Sequence, residues 1–227
     1  MEQSAESLWE RPRRGRRGPA PEHSREQIAS TAMELADADG LAAVTMRAVA
    51  AALGTGPASL YRYVRTRDEL VELMVDAANG EFDYEGLPGG DWLADLLALA
   101  RQSRAVFLRH PWLLDLADTL RPIGPGAADY LEHALAALAG TGADARTKLE
   151  AVGVLNALVV MLTRVELAAA NHETAPDASF LTKVAAEGRH PHLAAALTGA
   201  SATEENPTAT FDRVVSRVLK GLIETRS

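Results

Sequence analysis

The chain has 227 residues, 47% of them hydrophobic, with a formal net charge of −8. That much apolar material excludes a wholly disordered chain and allows one small module fused to one larger one. The sequence has no cysteine, which excludes disulfides, thiolate zinc sites and cysteine nucleophiles and fits a reducing compartment.

The charge is unevenly spread. Between Arg11 and Arg67 stand ten arginines against five acidic residues, a balance of +5 inside an acidic protein. A basic end on an acidic body lets DNA meet one end of the molecule only. Residues 1–23 are rich in Arg, Gly and Pro without apolar periodicity, and read as a flexible basic arm. Its run Arg13-Arg14-Gly15-Arg16-Arg17 suits phosphates or a minor groove; taken alone it also fits a solubilising tail.

Ser24-Arg25-Glu26-Gln27 has the form of a capping box and predicts a helix with Ile28, Met33, Leu35 and Ala36 on its buried stripe and Gly40 just past its end. Thr45 caps a second, short helix, Met46 to Leu53. Gly54-Thr55-Gly56 breaks it, and Pro57 opens a third running to about Tyr63. Ala50, Ala51 and Gly54 are small where two helices are expected to cross, with Val49, Leu53 and Leu60 filling the wedge. Thr66-Arg67-Asp68-Glu69 is a second capping box, starting a fourth helix that reaches about Asn79.

Gly86 to Gly90 is a turn cluster, and Asp91 caps a long helix from Trp92 to about Arg109, stopped by Pro111. Pro122-Ile123-Gly124-Pro125-Gly126 reads as a loop, followed by helices over 127–139 and 145–171. Residues 172–208 are mixed, with short helical pieces near Phe180 to Ala186 and Leu193 to Leu197, and a last helix covers about Ala209 to Glu224. No strand alternation and no solenoid-length repeat is present. No stretch reads as a transmembrane span: the longest apolar run, Ala151 to Thr163, contains Asn156 and soon meets Arg164 and Glu166. The N-terminal charges have no apolar segment behind them, so no secretory signal is expected.

Val44 to Leu70 is the informative segment. Its third helix presents Ala58, Ser59, Tyr61, Arg62 and Tyr63 around Leu60. Small residues at the start permit approach to base edges, Arg62 suits bidentate contact with guanine, and tyrosine hydroxyls suit phosphates. Pattern alone also allows a short helical hairpin with a solvated polar face. Residues 24–79 resemble the DNA-binding domain of the TetR family of bacterial regulators. The likeness rests on Asp39-Gly40, Thr45-Met46-Arg47, Leu53-Gly54, Ser59-Leu60-Tyr61-Arg62-Tyr63-Val64 and Arg67-Asp68-Glu69-Leu70. It implies that Arg47, Ser59, Tyr61 and Tyr63 approach DNA and that Arg67 clamps a phosphate at the start of the fourth helix. The chain departs from the family pattern at Gly56, often Ser, and near Tyr63 and Val64, often Phe or His. His110-Pro111-Trp112-Leu113, Gly124-Pro125 and Gly188-Arg189-His190-Pro191 resemble landmarks of the tetracycline-repressor-like C-terminal domain.

The fold expected is therefore all-α: a basic arm (1–23), an N-terminal three-helix helix-turn-helix domain (24–80) and, joined to it by the fourth helix, a larger helical ligand-binding and dimerisation domain (81–227). The last helix carries Phe211, Val214, Val215, Val218, Leu219, Leu222 and Ile223 on one broad face. The long helix is apolar nearly all round from Ala151 to Leu162, which its own domain or a second subunit must cover; the resemblance implies a four-helix homodimer interface. Candidate ligand contacts are Trp92, Phe107, His110 and Trp112 together with Asn156, Met161, Arg164 and Glu166, since polar groups on an apolar helix need partners; Trp92 and Trp112 also fit a core.

The six histidines do not form metal-ligand spacings, His190-Pro191-His192 reads structurally, and phosphate-binding loops and nucleophile elbows are absent. No metal, cofactor or enzymatic activity is expected. The partners expected are double-stranded operator DNA, a small-molecule effector and a second copy of the chain, with no membrane. Two other readings remain at this stage: a DNA-binding regulator whose second domain only dimerises or binds a protein, and a helical enzyme.

Overall fold

Side-chain caps set the helix starts. In the computed structural model, which describes residues 7–11, 23–117, 123–170, 178–200 and 206–224, Ser24 Oγ accepts the Gln27 N–H and Gln27 Oε1 accepts the Ser24 N–H. Helix α1 (Arg25–Asp39) thus begins with a reciprocal capping box. Thr45 caps α2 (Met46–Ala52) and Thr66 caps α4 (Arg67–Asn79). The second expected box is only half formed. Glu69 accepts the Arg65 N–H at 2.6 Å instead of returning to Thr66, and pairs with Arg11 at 2.5 Å.

Helix α3 (Pro57–Leu60) is shorter than expected. The N–H groups of Tyr63 and Val64 both return to the Leu60 carbonyl, closing residues 61–63 into a turn. So short a helix does not persist alone; burial of Leu60, worth about 1.5–3 kcal/mol, holds it in place. Gly54 takes φ +70°, and a Cβ there would meet nothing within 4 Å. It is needed for the left-handed turn between α2 and α3, not for a close crossing. Ala51 is exposed, so of the three small residues only Ala50 lies buried in the crossing.

The arm is not free along its whole length. Leu8 is 2% exposed in the same core as Ile28, Leu60, Leu70 and Met74, and Trp9 packs against that core. Arg25 Nη1 donates to the Leu8 carbonyl at 3.1 Å. A plug of two apolar side chains in one turn has no periodicity to announce it. The arginines at 13, 14, 16 and 17 lie outside the described residues.

The body contains α5 (Trp92–Arg109), α6 (Pro125–Ala137), α7 (Ala145–Ala170), α8 (Ala178–Ala186), α9 (Pro191–Ala200) and α10 (Pro207–Ile223). Among the described residues there is no strand. α7 packs on α5 and α10 around Leu96, Leu99, Leu155, Val159, Phe211 and Val215. Pro125 and Gly126 open α6 rather than prolonging a loop. Proline lacks the N–H that a first turn leaves unpaired, and the Gly126 N–H donates to Asp76 Oδ1 at 2.8 Å. This approach of α6 to α4 is tight: a Cβ at Gly126 would stand 2.8 Å from the Asp76 carbonyl oxygen.

The core of the N-terminal module also takes in residues beyond position 80, since Val106, Trp112 and Leu113 belong to it. Against the expectation that no stretch reads as a transmembrane span, α7 is long and apolar enough, by length and composition, to cross a membrane. It continues beyond the run 151–163 on both sides, and its few charges do not interrupt it. Only 28% of its most apolar window is buried within the protomer.

Candidate nucleic-acid interface and ligand cavity

The helix-turn-helix exposes several polar side chains. Arg47 is exposed on α2, and Tyr61, 53% exposed, projects from the turn after α3 beside exposed Arg62. Arg62 Nη2 donates to Ser59 Oγ at 2.9 Å, and its guanidinium lies 6.0 Å from the Tyr63 ring centroid. Tyr63 is half-buried, and its hydroxyl accepts the His23 N–H at 3.4 Å, tying the entrance of α1 to the reading turn. Ser59, Tyr61, Arg62 and Arg47 thus supply hydroxyls and guanidinium groups, the chemistry of base-edge and phosphate contact.

Arg67 is exposed at the start of α4. Its Nε donates to the Val44 carbonyl at 2.9 Å and its Nη2 to the Leu41 carbonyl at 2.8 Å. These carbonyls close the 3-10 turn Leu41–Ala43. Arg67 therefore locks the α1–α2 connection onto the start of α4, a role the expected phosphate clamp did not include.

Beneath the head lies a cavity of about 810 Å³, within the range of small-molecule sites. α4 lines it with Val75, Ala78 and Asn79, α5 with Ser103, Val106 and Phe107, and α6 with Ala127, Tyr130 and Leu131. Asn156, Met161 and Arg164 of α7 complete the wall. Four of the expected contacts, Phe107, Asn156, Met161 and Arg164, are thus brought together. Tyr130 donates to Asn156 Oδ1 at 2.6 Å, and burial pushes its hydroxyl pKa up to about 12. Arg164 Nη2 donates to the Leu114 carbonyl.

Trp92, His110, Trp112 and Glu166 do not line the cavity. Trp92 packs on the body core. Glu166 accepts Arg104 Nε at 2.7 Å, its charge matched between α7 and α5. Both nitrogens of His110 face carboxylates, Nδ1 at 2.8 Å from Asp37 and Nε2 at 2.9 Å from Glu81, and Trp112 Nε1 donates to Asp37 at 2.7 Å. The 3-10 turn Pro111–Leu116 is thereby tied to α1 on one side while Leu113 and Leu116 face the cavity on the other. Sequence reasoning does not single out Asn79, Phe82 or Tyr130. The signal for Tyr130 is a lone hydroxyl in an Ala- and Leu-rich helix, which needs a partner once buried.

A helix-turn-helix head with exposed arginines, resting on a helical body with its own cavity, defines a one-component DNA-binding regulator, and comparison with known proteins agrees. Residues 28–74 match the model of bacterial regulatory proteins of the tetR family, and residues 86–226 match the tetracyclin repressor-like C-terminal domain. The HTH-type transcriptional repressor DrrR1 of Streptomyces coeruleorubidus is 36% identical over 96% of this chain and 83% of its own length. A HTH-type transcriptional regulator of Saccharopolyspora erythraea is 37% identical over 60% of this chain and 57% of its own. Apo ActR of Streptomyces coelicolor superposes with a TM-score of 0.73 at 26% identity, covering 91% of this chain and 97% of ActR. ActR in complex with actinorhodin gives 0.72 at 26% identity, covering 90% and 98%. The chain belongs to the TetR family: it is a transcriptional regulator and not an enzyme.

Proposed function

We propose that this protein is a ligand-responsive repressor. As a homodimer acting in the cytoplasm it holds a near-palindromic operator, and it lets go when a small, largely apolar molecule fills the cavity. The observation that carries this reading is the double use of α4. Leu70, Leu73 and Met74 are buried in the core of the head, while Val75, Ala78 and Asn79, one turn further on, are cavity wall. A molecule that changes the spacing of α4 and α6 must move the head, and it favours release to the extent that it binds the released arrangement more tightly. The roomy cavity favours an effector over a body that only dimerises or holds a protein. The neighbouring ActR, solved with actinorhodin, supports the same reading.

Residues 24–80 act as the reading unit, with Arg47, Ser59, Tyr61, Arg62 and Tyr63 on DNA, and residues 81–227 as the dimerising, ligand-binding unit. The basic run adds phosphate contacts. Fluorescence anisotropy with the protein's own promoter region tests this. Affinity should exceed that for random duplex and fall steeply with salt. Replacing Arg13, Arg14, Arg16 and Arg17 by Ala should flatten the salt slope by about 0.9 for each lost phosphate contact. That variant keeps the Leu8–Trp9 plug, which truncation would remove. Equal affinity for promoter and random DNA would defeat the reading.

A further inference from the structure

Residues 7–10 close on themselves. The Glu10 N–H donates to the Ser7 carbonyl at 3.1 Å, the Trp9 N–H to Ser7 Oγ at 3.3 Å, and the Ser7 N–H to Glu10 Oε2 at 3.3 Å. This turn lowers Leu8 into the head core. It also lays the Trp9 indole against Gly124, the cap of α6, where a Cβ would stand 2.8 Å from Trp9 Cζ2. Two apolar side chains removed from water hold the turn in its seat.

Arg11 fixes the exit of the turn. Its guanidinium reaches Glu69 Oε2 at 2.5 Å, and the same oxygen accepts the Arg65 N–H at 2.6 Å. The two side chains are only 10% and 17% exposed, so solvent screens this pair less than a surface one. Arg65 stands two residues past the reading turn 61–63, and at His23 the chain is bound through its N–H to the Tyr63 hydroxyl. The stretch that carries Arg13, Arg14, Arg16 and Arg17 is thus anchored at both ends beside the reading turn. Connectivity keeps Arg13 within about 7 Å of the pinned Arg11, whereas a tether from His23 alone would let it stand about 35 Å away. Such confinement raises the local concentration of positive charge without adding a contact.

We propose that Leu8, Trp9, Arg11 and Glu69 are positioning residues for operator binding, acting through the arginine run that they hold beside the reading turn. This rests on the reading given above in which those four arginines meet phosphates, and it adds the device that presents them.

Fluorescence anisotropy of the full-length protein on its own promoter region tests this by the sign of one effect. Glu69→Gln removes a negative charge from the head, so by charge alone it strengthens binding to DNA. Loss of the pin has the opposite sign, a fall in affinity of about two- to fivefold at low salt. Trp9→Ala changes no charge and should also weaken binding, with circular dichroism checking that the head stays folded. If that variant does not fold, Glu69→Gln decides alone. Both losses should vanish when Arg13, Arg14, Arg16 and Arg17 are already alanine, since nothing is then left to position. A Glu69→Gln protein that binds as tightly as wild type, or tighter, overturns the pin. So does a loss that persists undiminished in the four-alanine background, which would assign the turn to the fold of the head alone. A four-alanine protein with wild-type affinity and salt slope defeats the phosphate reading itself, and that outcome is seen without any of the other variants.

Discussion

Glu69 shows how much of the head rests on single charges. Burial acts to raise its pKa, but the Arg11 guanidinium and the Arg65 N–H outweigh that and hold it below its ordinary 4.5. A carboxylate depressed in the folded state adds stability above its unfolded pKa, and that contribution is lost as the pH falls through the folded value. Wild-type protein should therefore melt above Glu69→Gln at pH 7, and the gap should close as the pH drops below about 4. Glutamine can still accept the Arg65 N–H, so the comparison isolates the charge. A melting-temperature gap that stays constant across that pH range would show that the Arg11 pair contributes nothing. Arg67 illustrates the same scale differently: its guanidinium donates to the Val44 and Leu41 carbonyls of the turn before α2, the second of which also accepts the Val44 N–H.

At the level of elements, α10 divides into two stripes and α7 leaves apolar side chains open. On α10, Phe211, Val215 and Leu219 are buried in the protomer, while Val214, Val218 and Leu222 remain half-exposed beside them. On α7, Leu149 and Val165 are 52% and 62% exposed. Apolar surface left open on two packed helices suits the homodimer proposed above. Val218→Glu would then place like charges across a two-fold axis, and light scattering should show dimer turning to monomer with operator binding lost. A wild-type protein already monomeric at micromolar concentration would refute the dimer. The elements themselves were largely legible: Ser24, Thr45, Thr66 and Asp91 cap the helices their spacing predicted. The cavity was legible in part. Asn156 and Arg164 stood out as polar residues on an apolar helix, but sequence offers no sign that Glu166, two positions on, turns to Arg104 while Arg164 turns inward. Nor does local pattern reveal that His110 and Trp112 serve the head, since their partner Asp37 is over seventy residues away. Pro125-Gly126 was misread because proline and glycine break a helix when inside it and start one when at its first turn.

For the whole molecule, head and body are joined at two places. α4 runs from the head core into the cavity wall, and the turn Pro111–Leu116 carries Leu113 and Leu116 on the cavity while His110 and Trp112 hold Asp37 of α1. The head is thus gripped by both of its outer helices, and a guest that displaces either α6 or this turn reorients it as one body. Two such heads must meet successive major grooves about 34 Å apart, so a small tilt at each base is enough to spoil the fit. If one guest makes operator binding tenfold weaker, the coupling is about 1.4 kcal/mol, and operator must weaken the guest by the same factor. Titrating a small apolar probe that binds the cavity into free protein and into protein saturated with operator should give dissociation constants that differ by the factor seen in the anisotropy experiment. Trp112→Phe keeps the buried ring but removes the N–H to Asp37, so it should shrink that factor without altering the affinity of the free protein for the probe. Equal dissociation constants with and without operator, for a probe already shown to bind, would mean that cavity and head do not communicate. An undiminished factor in Trp112→Phe would leave α4 as the sole route.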